Sequence, residues 1–390
     1  MIRRTRLALL VAGALVVALV GAACTSDSNG ASSASAAASG GPLDLKGVCP
    51  NPLVFQADWQ PESEQGFLYN LVGPGYTPDT NKKRVTGPLI AHGQDTGIQI
   101  QIRTGGPAVG FDPVPSVMYT DPSIHLGFVA TDEGVQFAPK QPTTAVFTQM
   151  DISPLALIWD PAQHPDFHTV VDVGQSDATV FYTNGLAYME YLVGSGILRR
   201  NQLNASYDGS PAAFVQSKGK AVIQGFATSE PYLYEKEIKQ WGKPLRFSLI
   251  NDSGYPEYFS AVSIRAGDKA KLASCLKKLV PILQQSQVDF IAKPDHGIQV
   301  ILDLVKKYNT SWQYSPGLAQ YSAKALKDVG IAGNGTNKTL GDFDMNRVQK
   351  IIDIVTPILA GQKRPVKQGL KPADIATNEF IDTKIGMPSS

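Results

Sequence analysis

Cysteine and histidine are scarce in this chain, three and five among 390 residues. So few soft ligands cannot furnish a cysteine-rich metal or cluster site. The one close histidine pair, His164 and His168, is interrupted by Pro165 and preceded by Pro161. It therefore belongs to a loop, not to a helix face presenting two ligands. No metal and no cofactor are expected. Charge of one sign is also lacking: 35 Lys and Arg face 34 Asp and Glu, without a long basic block. That excludes nucleic acid as the main partner. No Gly-x-Ser-x-Gly elbow is present, which removes the usual anchor for serine hydrolysis. The glycine-rich segment Gly105-Gly106-Pro107-Ala108-Val109-Gly110 lacks dinucleotide-binding spacing and reads as a turn. No residue is assigned a catalytic role. Past residue 23 no apolar run approaches the ~20 residues of a membrane span.

What is present begins with Arg3, Arg4 and Arg6, an unbroken apolar run over 7–20, and then Gly21-Ala22-Ala23 before Cys24. A basic head, a short apolar stretch and small residues before a cut site make an export signal over 1–23. The cysteine at the cut resembles a bacterial lipobox, which predicts lipidation of Cys24 and anchoring on the extracytoplasmic face of the cell membrane. Residues 24–46, rich in Ser, Ala and Gly, are expected to form a flexible tether. Cys49 and Cys275 remain as a pair in an exported chain. They are expected to form a disulfide, the alternative being two buried thiols.

The remainder is ordinary globular material, 43% hydrophobic and 18% charged, with 36 Gly and 27 Pro marking many turns. Alternating or fully apolar short runs predict strands at 53–57, 98–102, 124–130, 144–148, 155–159, 179–182, 221–226, 246–250 and 261–264. Residues 169–173 read as extended chain leading into 179–182. Residues 85–91 read as a helical extension. Helical periodicity covers 62–71, 186–193, 268–292, 296–308, 315–329 and 346–359. Strands alternating with helices predict an α/β fold with a largely parallel sheet. The chain is longer than one core supports, so two lobes are expected. Residues 47–150 and 250–390 make the first and 151–249 the second, with the chain crossing between them twice.

Ligands of open α/β sheets bind beyond the carboxyl ends of strands. Four such ends carry polar or aromatic residues ahead of a helix. The first is Asp58-Trp59, with Glu62 and Gln65 just beyond; the second is Thr131-Asp132-Glu133. The third is Tyr182-Thr183-Asn184, and the fourth runs from Thr228 to Tyr232 and includes Glu230. Thr131, Thr183, Asn184 and Ser229 are equally suited to helix capping, and adjacent acids such as Asp132 and Glu133 to pairing with a helix dipole. Pro231 disfavours a helical conformation at Glu230 and projects it from a loop.

At these strand ends a family likeness emerges. Phe55-Gln56-Ala57-Asp58-Trp59-Gln60-Pro61-Glu62, with Gly66 and Tyr69, resembles the opening of the solute-binding proteins for nitrate, sulfonate, taurine and thiamine pyrimidine precursors. Gly225-Phe226-Ala227-Thr228-Ser229-Glu230-Pro231, with Tyr234-Glu235, resembles that family's return crossing. Trp241-Gly242-Lys243-Pro244 and Thr377-Asn378-Glu379-Phe380-Ile381 resemble its pyrimidine-precursor branch, although Gln65 stands where that branch commonly has a histidine. The resemblance implies a periplasmic-binding-protein-like fold of type II, two α/β lobes with two interlobe crossings that close on a small-molecule solute. It also implies a monomer, not an enzyme, that delivers the solute to an ABC-importer permease. By the same resemblance Trp59 and Tyr182 flank a planar ligand, while Asp58, Asn184 and Glu230 hydrogen-bond its edge. Without Arg or Lys at the strand ends, a neutral or cationic heterocycle suits the site better than nitrate or a sulfonate. The alternative is an exported enzyme using Asp132, Glu133 or Glu230 in the same cleft.

Overall fold

A computed structural model describes residues 34–388. The export signal, Cys24 and the first part of the tether lie outside the described residues. The strands among the described residues are β1 (Ser35–Ala36), β2 (Leu53–Gln56), β3 (Thr77–Asp79), β4 (Arg84–Ala91), β5 (Gln94–Arg103), β6 (Leu126–Val129), β7 (Thr143–Phe147), β8 (Leu155–Trp159), β9 (Val180–Phe181), β10 (Leu203–Asn204), β11 (Val222–Phe226), β12 (Arg246–Leu249) and β13 (Ala261–Arg265). They form two sheets. The larger runs β3-β4-β5-β2-β6-β13-β7 with β1 beside β5, and the smaller runs β10-β9-β11-β8-β12. The chain passes from the larger to the smaller sheet over residues 148–154 and returns over 250–260. This is the expected two-lobed α/β architecture with two crossings.

The sheets are mixed, not largely parallel. Only β1-β5-β2-β6 and β10-β9-β11 run parallel. β8 and β13 each begin at a crossing and enter antiparallel to β11 and β6. Strand β4 is tied to β5 by a two-residue turn at His92-Gly93, both with positive φ (49° and 71°), the backbone such tight hairpins require. Residues 85–91, expected as helix, are thus a strand. Their burial alternates residue by residue along β4, a period of two that the flanking turn-rich sequence obscured. The reverse error falls at 169–173, where Val170–Gln175 is a helix. Thr169 accepts from the Asp172 N–H while the Asp172 carboxylate accepts from the Thr169 N–H, and this capping box outweighs the β-branched valines. The segment read as the return crossing is instead the end of β11 and the helix Glu230–Tyr232. Glu230 is helical there, since Pro231 falls in the first turn, where its missing N–H costs nothing. Ordered chain also starts before residue 47: β1 pairs with Gln94 and Asp95, and Leu45 is fully buried.

The helix Lys269–Ala292 places Leu272, Leu276, Leu279, Leu283 and Phe290 in the first core. There Phe67 meets Phe128 and Phe147 edge-on, at 6.1 and 5.6 Å between ring centroids. Cys49 and Cys275 form a disulfide that fastens the segment before β2 to this helix. The helix Met345–Gly361 packs Val348, Ile351 and Val355 with Leu157, Trp159 and Leu192 of the second core. It also touches the helices Thr131–Phe137 and Ala187–Gly194, so the carboxyl-terminal part of the chain braces both sheets. Among the described residues no helix is long and apolar enough to cross a membrane.

Candidate functional site

Strand β2 is wholly buried and delivers Asp58 and Trp59 just past its end. A turn from the end of β5 grips them from behind. Gly105 donates its N–H to the Trp59 carbonyl (2.9 Å) and Gly106 to the Asp58 carbonyl (3.1 Å). A Cβ on Gly105 would lie 2.3 Å from the Ala57 carbonyl oxygen, and one on Gly106 2.7 Å from the Trp59 ring. Backbone approach this close is open only to glycine. The Asp58 carboxylate then accepts from Gln65 Nε2 (2.6 Å) and from the Ser260 hydroxyl. Ser260 belongs to the return crossing, so Asp58 is fixed against the segment joining the two sheets.

The end of β6 is pinned to the same crossing. Thr131 and Tyr258 exchange two hydrogen bonds, Thr131 N–H to the Tyr258 carbonyl and Tyr258 N–H to Thr131 Oγ1, both 3.0 Å. Thr131 is therefore committed to structure. Its neighbour Asp132 accepts from the Tyr255 hydroxyl at 2.8 Å, and Glu133 follows in the first turn of Thr131–Phe137. From the smaller sheet, the end of β11 supplies Glu230, whose Oε2 accepts from the Phe226 N–H (2.7 Å) and the Ser229 hydroxyl (2.6 Å).

Three acids join them: Glu62, named with the first strand end, and Glu64 and Glu257, which strand-end reasoning missed. Glu64 accepts from Ser322 (3.2 Å), and Glu257 of the return crossing accepts from Ser153 of the outgoing one (2.9 Å). Glu62 lies within the electrostatic reach of Glu64, Asp58 and Glu230. Glu257 sits on a crossing rather than after a strand, so the strand-end rule passed over it. The signal available was its place in Tyr255-Pro256-Glu257-Tyr258-Phe259, between the last strand of one lobe and the returning strand of the other.

Burial governs the protonation of this group. It holds the carboxyls of Asp58, Glu64 and Glu230 above their ordinary range. Glu62 is pushed well up by burial and then by the charges of Glu64, Asp58 and Glu230. Glu133 is pushed up to about 8 by burial, then by Asp132 and Asp58. Glu257 is raised well above a normal glutamate by burial and by Asp132. Asp58, Glu62, Asp132, Glu133 and Glu230 nevertheless each keep part of their surface accessible. Among the described residues no member of the group takes part in a salt bridge. Two carboxylates ~5 Å apart repel by about 3 kcal/mol at an effective dielectric constant of ~20. The empty site therefore favours the protonated forms. Once these protons are given up it offers acceptors and negative potential, and among the described residues no guanidinium or ammonium pairs with it.

An aromatic wall adjoins the acids. Half-buried Trp59 lies 6.1 Å from Phe111 and 6.1 Å from Trp312, and Trp312 stacks on Tyr314 at 5.7 Å and 15°. The Tyr314 hydroxyl accepts from the Ser63 N–H (2.8 Å). Burial and then the charges of Glu64 and Glu62 push its pKa far up, which places it beside those acids. Tyr182 and Asn184 do not join the group. Tyr182 is buried in the second core and Asn184 is exposed on the loop after β9. Neither forms a hydrogen bond with a member of the acid group.

No protein-family model and no curated protein matches the chain. Solved structures do. The periplasmic aliphatic sulphonate binding protein of Escherichia coli superposes with a TM-score of 0.51 at 11% identity, over 86% of this chain and 99% of that one. The alkanesulfonate-binding protein of Xanthomonas axonopodis pv. citri, bound to MOPS, gives 0.50 at 10% identity, over 84% and 100%. At such identities the likeness is one of fold, and it defines the class: a two-lobed, periplasmic-binding-protein-like α/β fold.

Proposed function

We propose that the chain is an extracytoplasmic solute-binding protein that captures a small, planar heterocyclic solute between its two lobes and hands it to an ABC-importer permease. The observation that carries this reading is the composition of the site. Asp58 and Glu133 follow strands of the larger sheet, Glu230 follows a strand of the smaller one, and Glu257 lies on the crossing between them. A pocket built from two sheets and their hinge is suited to closing over its guest. Lipidation of Cys24 would keep the protein at the outer face of the membrane, near its permease. Trp59, with Phe111 tilted at 46° and Trp312 edge-on at 85° beside it, supplies one ring face of the kind a planar ring stacks on.

Native mass spectrometry of the purified protein tests this directly, by seeking a stoichiometric small molecule. Thermal-shift screening adds affinity, because a solute at 100 times its Kd stabilises the folded state by about 2.7 kcal/mol. Absence of any bound or stabilising solute would sink the proposal. A second reading, an exported enzyme, draws on Glu133, whose carboxyl pushed up to about 8 is poised for acid–base chemistry near neutrality. Recovery of the solute chemically unchanged after prolonged incubation rejects that second reading.

A further inference from the structure

The capture of a solute, on which this inference rests, leaves the charge of that solute to be decided. The acid group lacks a basic partner among the described residues, as set out above. Gln65 adds an independent observation. It is 1% exposed, and its Nε2 donates to Asp58, yet its Oε1 has no hydrogen-bond partner. A buried acceptor left open beside a carboxylate is costly until a donor meets it. A group carrying several N–H donors and a positive charge satisfies Gln65 and Asp58 together.

The aromatic wall points the same way. Ring faces are negative and attract cations within ~6 Å of their centroids. Phe111 is 66% exposed, unusual for so large an apolar side chain, and rests against Trp59. Its backbone holds φ at 62°, a left-handed conformation that a bulky residue rarely adopts and that clusters at functional sites. The Gly105–Gly106 turn leads into the short helix that carries this exposed ring to Trp59.

We propose that the solute is an organic cation, bearing an ammonium, amidinium or guanidinium group, with its charged end among Asp58, Glu62, Gln65 and Glu230 and its carbon body against Trp59 and Phe111. Binding would then displace protons from these acids and hold the resulting carboxylates together through one shared positive charge.

The test measures melting of the purified intact protein with agmatine, putrescine, benzamidine and 4-aminopyridine, all cationic near neutrality and all carrying N–H donors, the last a planar heterocycle. Sodium chloride at equal ionic strength serves as the blank, and methanesulfonate and uracil as the anionic and neutral contrasts. A saturable rise with at least one organic cation, weakened at least tenfold by Glu62→Gln, is the expected result. Because burial and neighbouring acids favour the neutral form of Glu62 in the empty site, the neutral amide of Glu62→Gln should melt no lower than the parent; Glu230→Gln serves if it does not fold. A cation effect untouched in the variants would overturn the assignment. So would a rise with methanesulfonate or uracil and with no cation, although solute capture itself would stand. A co-purified molecule is judged by its charge in the same way: a cation supports the inference and any other overturns it. If no probe acts and nothing co-purifies, both this inference and the solute-binding proposal fall.

Discussion

Asp58 shows how a single carboxylate is placed by chemistry spread along the chain. Its strand is fixed by burial, its backbone by the glycine turn at Gly105 and Gly106, and its side chain by Gln65 and Ser260. The Gly105→Ala variant puts this arrangement at risk, because the new methyl would press on the Ala57 carbonyl from 2.3 Å. Overpacking of this kind costs about 1–3 kcal/mol. Chemical denaturation should show that loss, together with weaker solute binding; unchanged stability and affinity would mean the turn does not position Asp58. Asp58, Trp59, Glu62 and Glu230 could be picked out in the sequence because a general rule about strand ends applies to them. Tyr182 could not be placed correctly by that rule. The alternation along β9 does not reveal which face meets the second core, and it is to this core that the tyrosine turns.

At the scale of elements, the long carboxyl-terminal helices were legible because each carries many turns of apolar periodicity, and their bounds match expectation to within a residue or two. Short elements were decided by features of one or two residues. The helix Val170–Gln175 owes its existence to Thr169 and Asp172, so Thr169→Ala should lower stability by about 1 kcal/mol, read as a shifted denaturation midpoint. Wild-type stability in that variant would show the valines to be helical for other reasons. The disulfide acts over a much larger span, joining residues 226 apart in sequence. Replacing Cys49 and Cys275 together by serine should cost about 2–5 kcal/mol of stability. Mass measurement of the unreduced protein, two hydrogen atoms lighter than the reduced chain, checks the bond independently. The pairing was open to sequence reading through compartment and parity, and because Cys275 falls within the expected helix 268–292, so was the docking of Cys49 on the helix Lys269–Ala292.

For the molecule as a whole, the balance of its carboxyl groups sets the dependence of stability on pH. Surface acids such as Asp121 are held low, to about 2, by hydrogen bonds from Ser123 and by Arg103. Groups of this kind stabilise the fold above their unfolded pKa, and their contribution is lost as pH falls through the folded value. The site acids act oppositely. Glu133 takes up its proton near pH 8 when folded and near 4.5 when unfolded, so between those values the folded state binds more protons. Stability then falls as pH rises across that window, with Glu62, Glu64 and Glu257 adding in the same direction. The empty protein should therefore be most stable near pH 4.5–5 and lose stability steadily toward pH 8. Glu133→Gln should flatten the upper part of that slope, since an amide has no proton to lose. Solute that bears positive charge should do the same, and at pH 7 its binding should release protons, visible as a dependence of the calorimetric heat on the ionisation enthalpy of the buffer. A melting temperature that is level or climbs between pH 5 and 8 in the empty protein would contradict the buried acid site. A slope that persists unchanged in Glu133→Gln would assign it to other groups. The same linkage would serve capture of the proposed cation: the acid site is neutral only while its walls hold protons, and a cationic guest would take over the role of those protons.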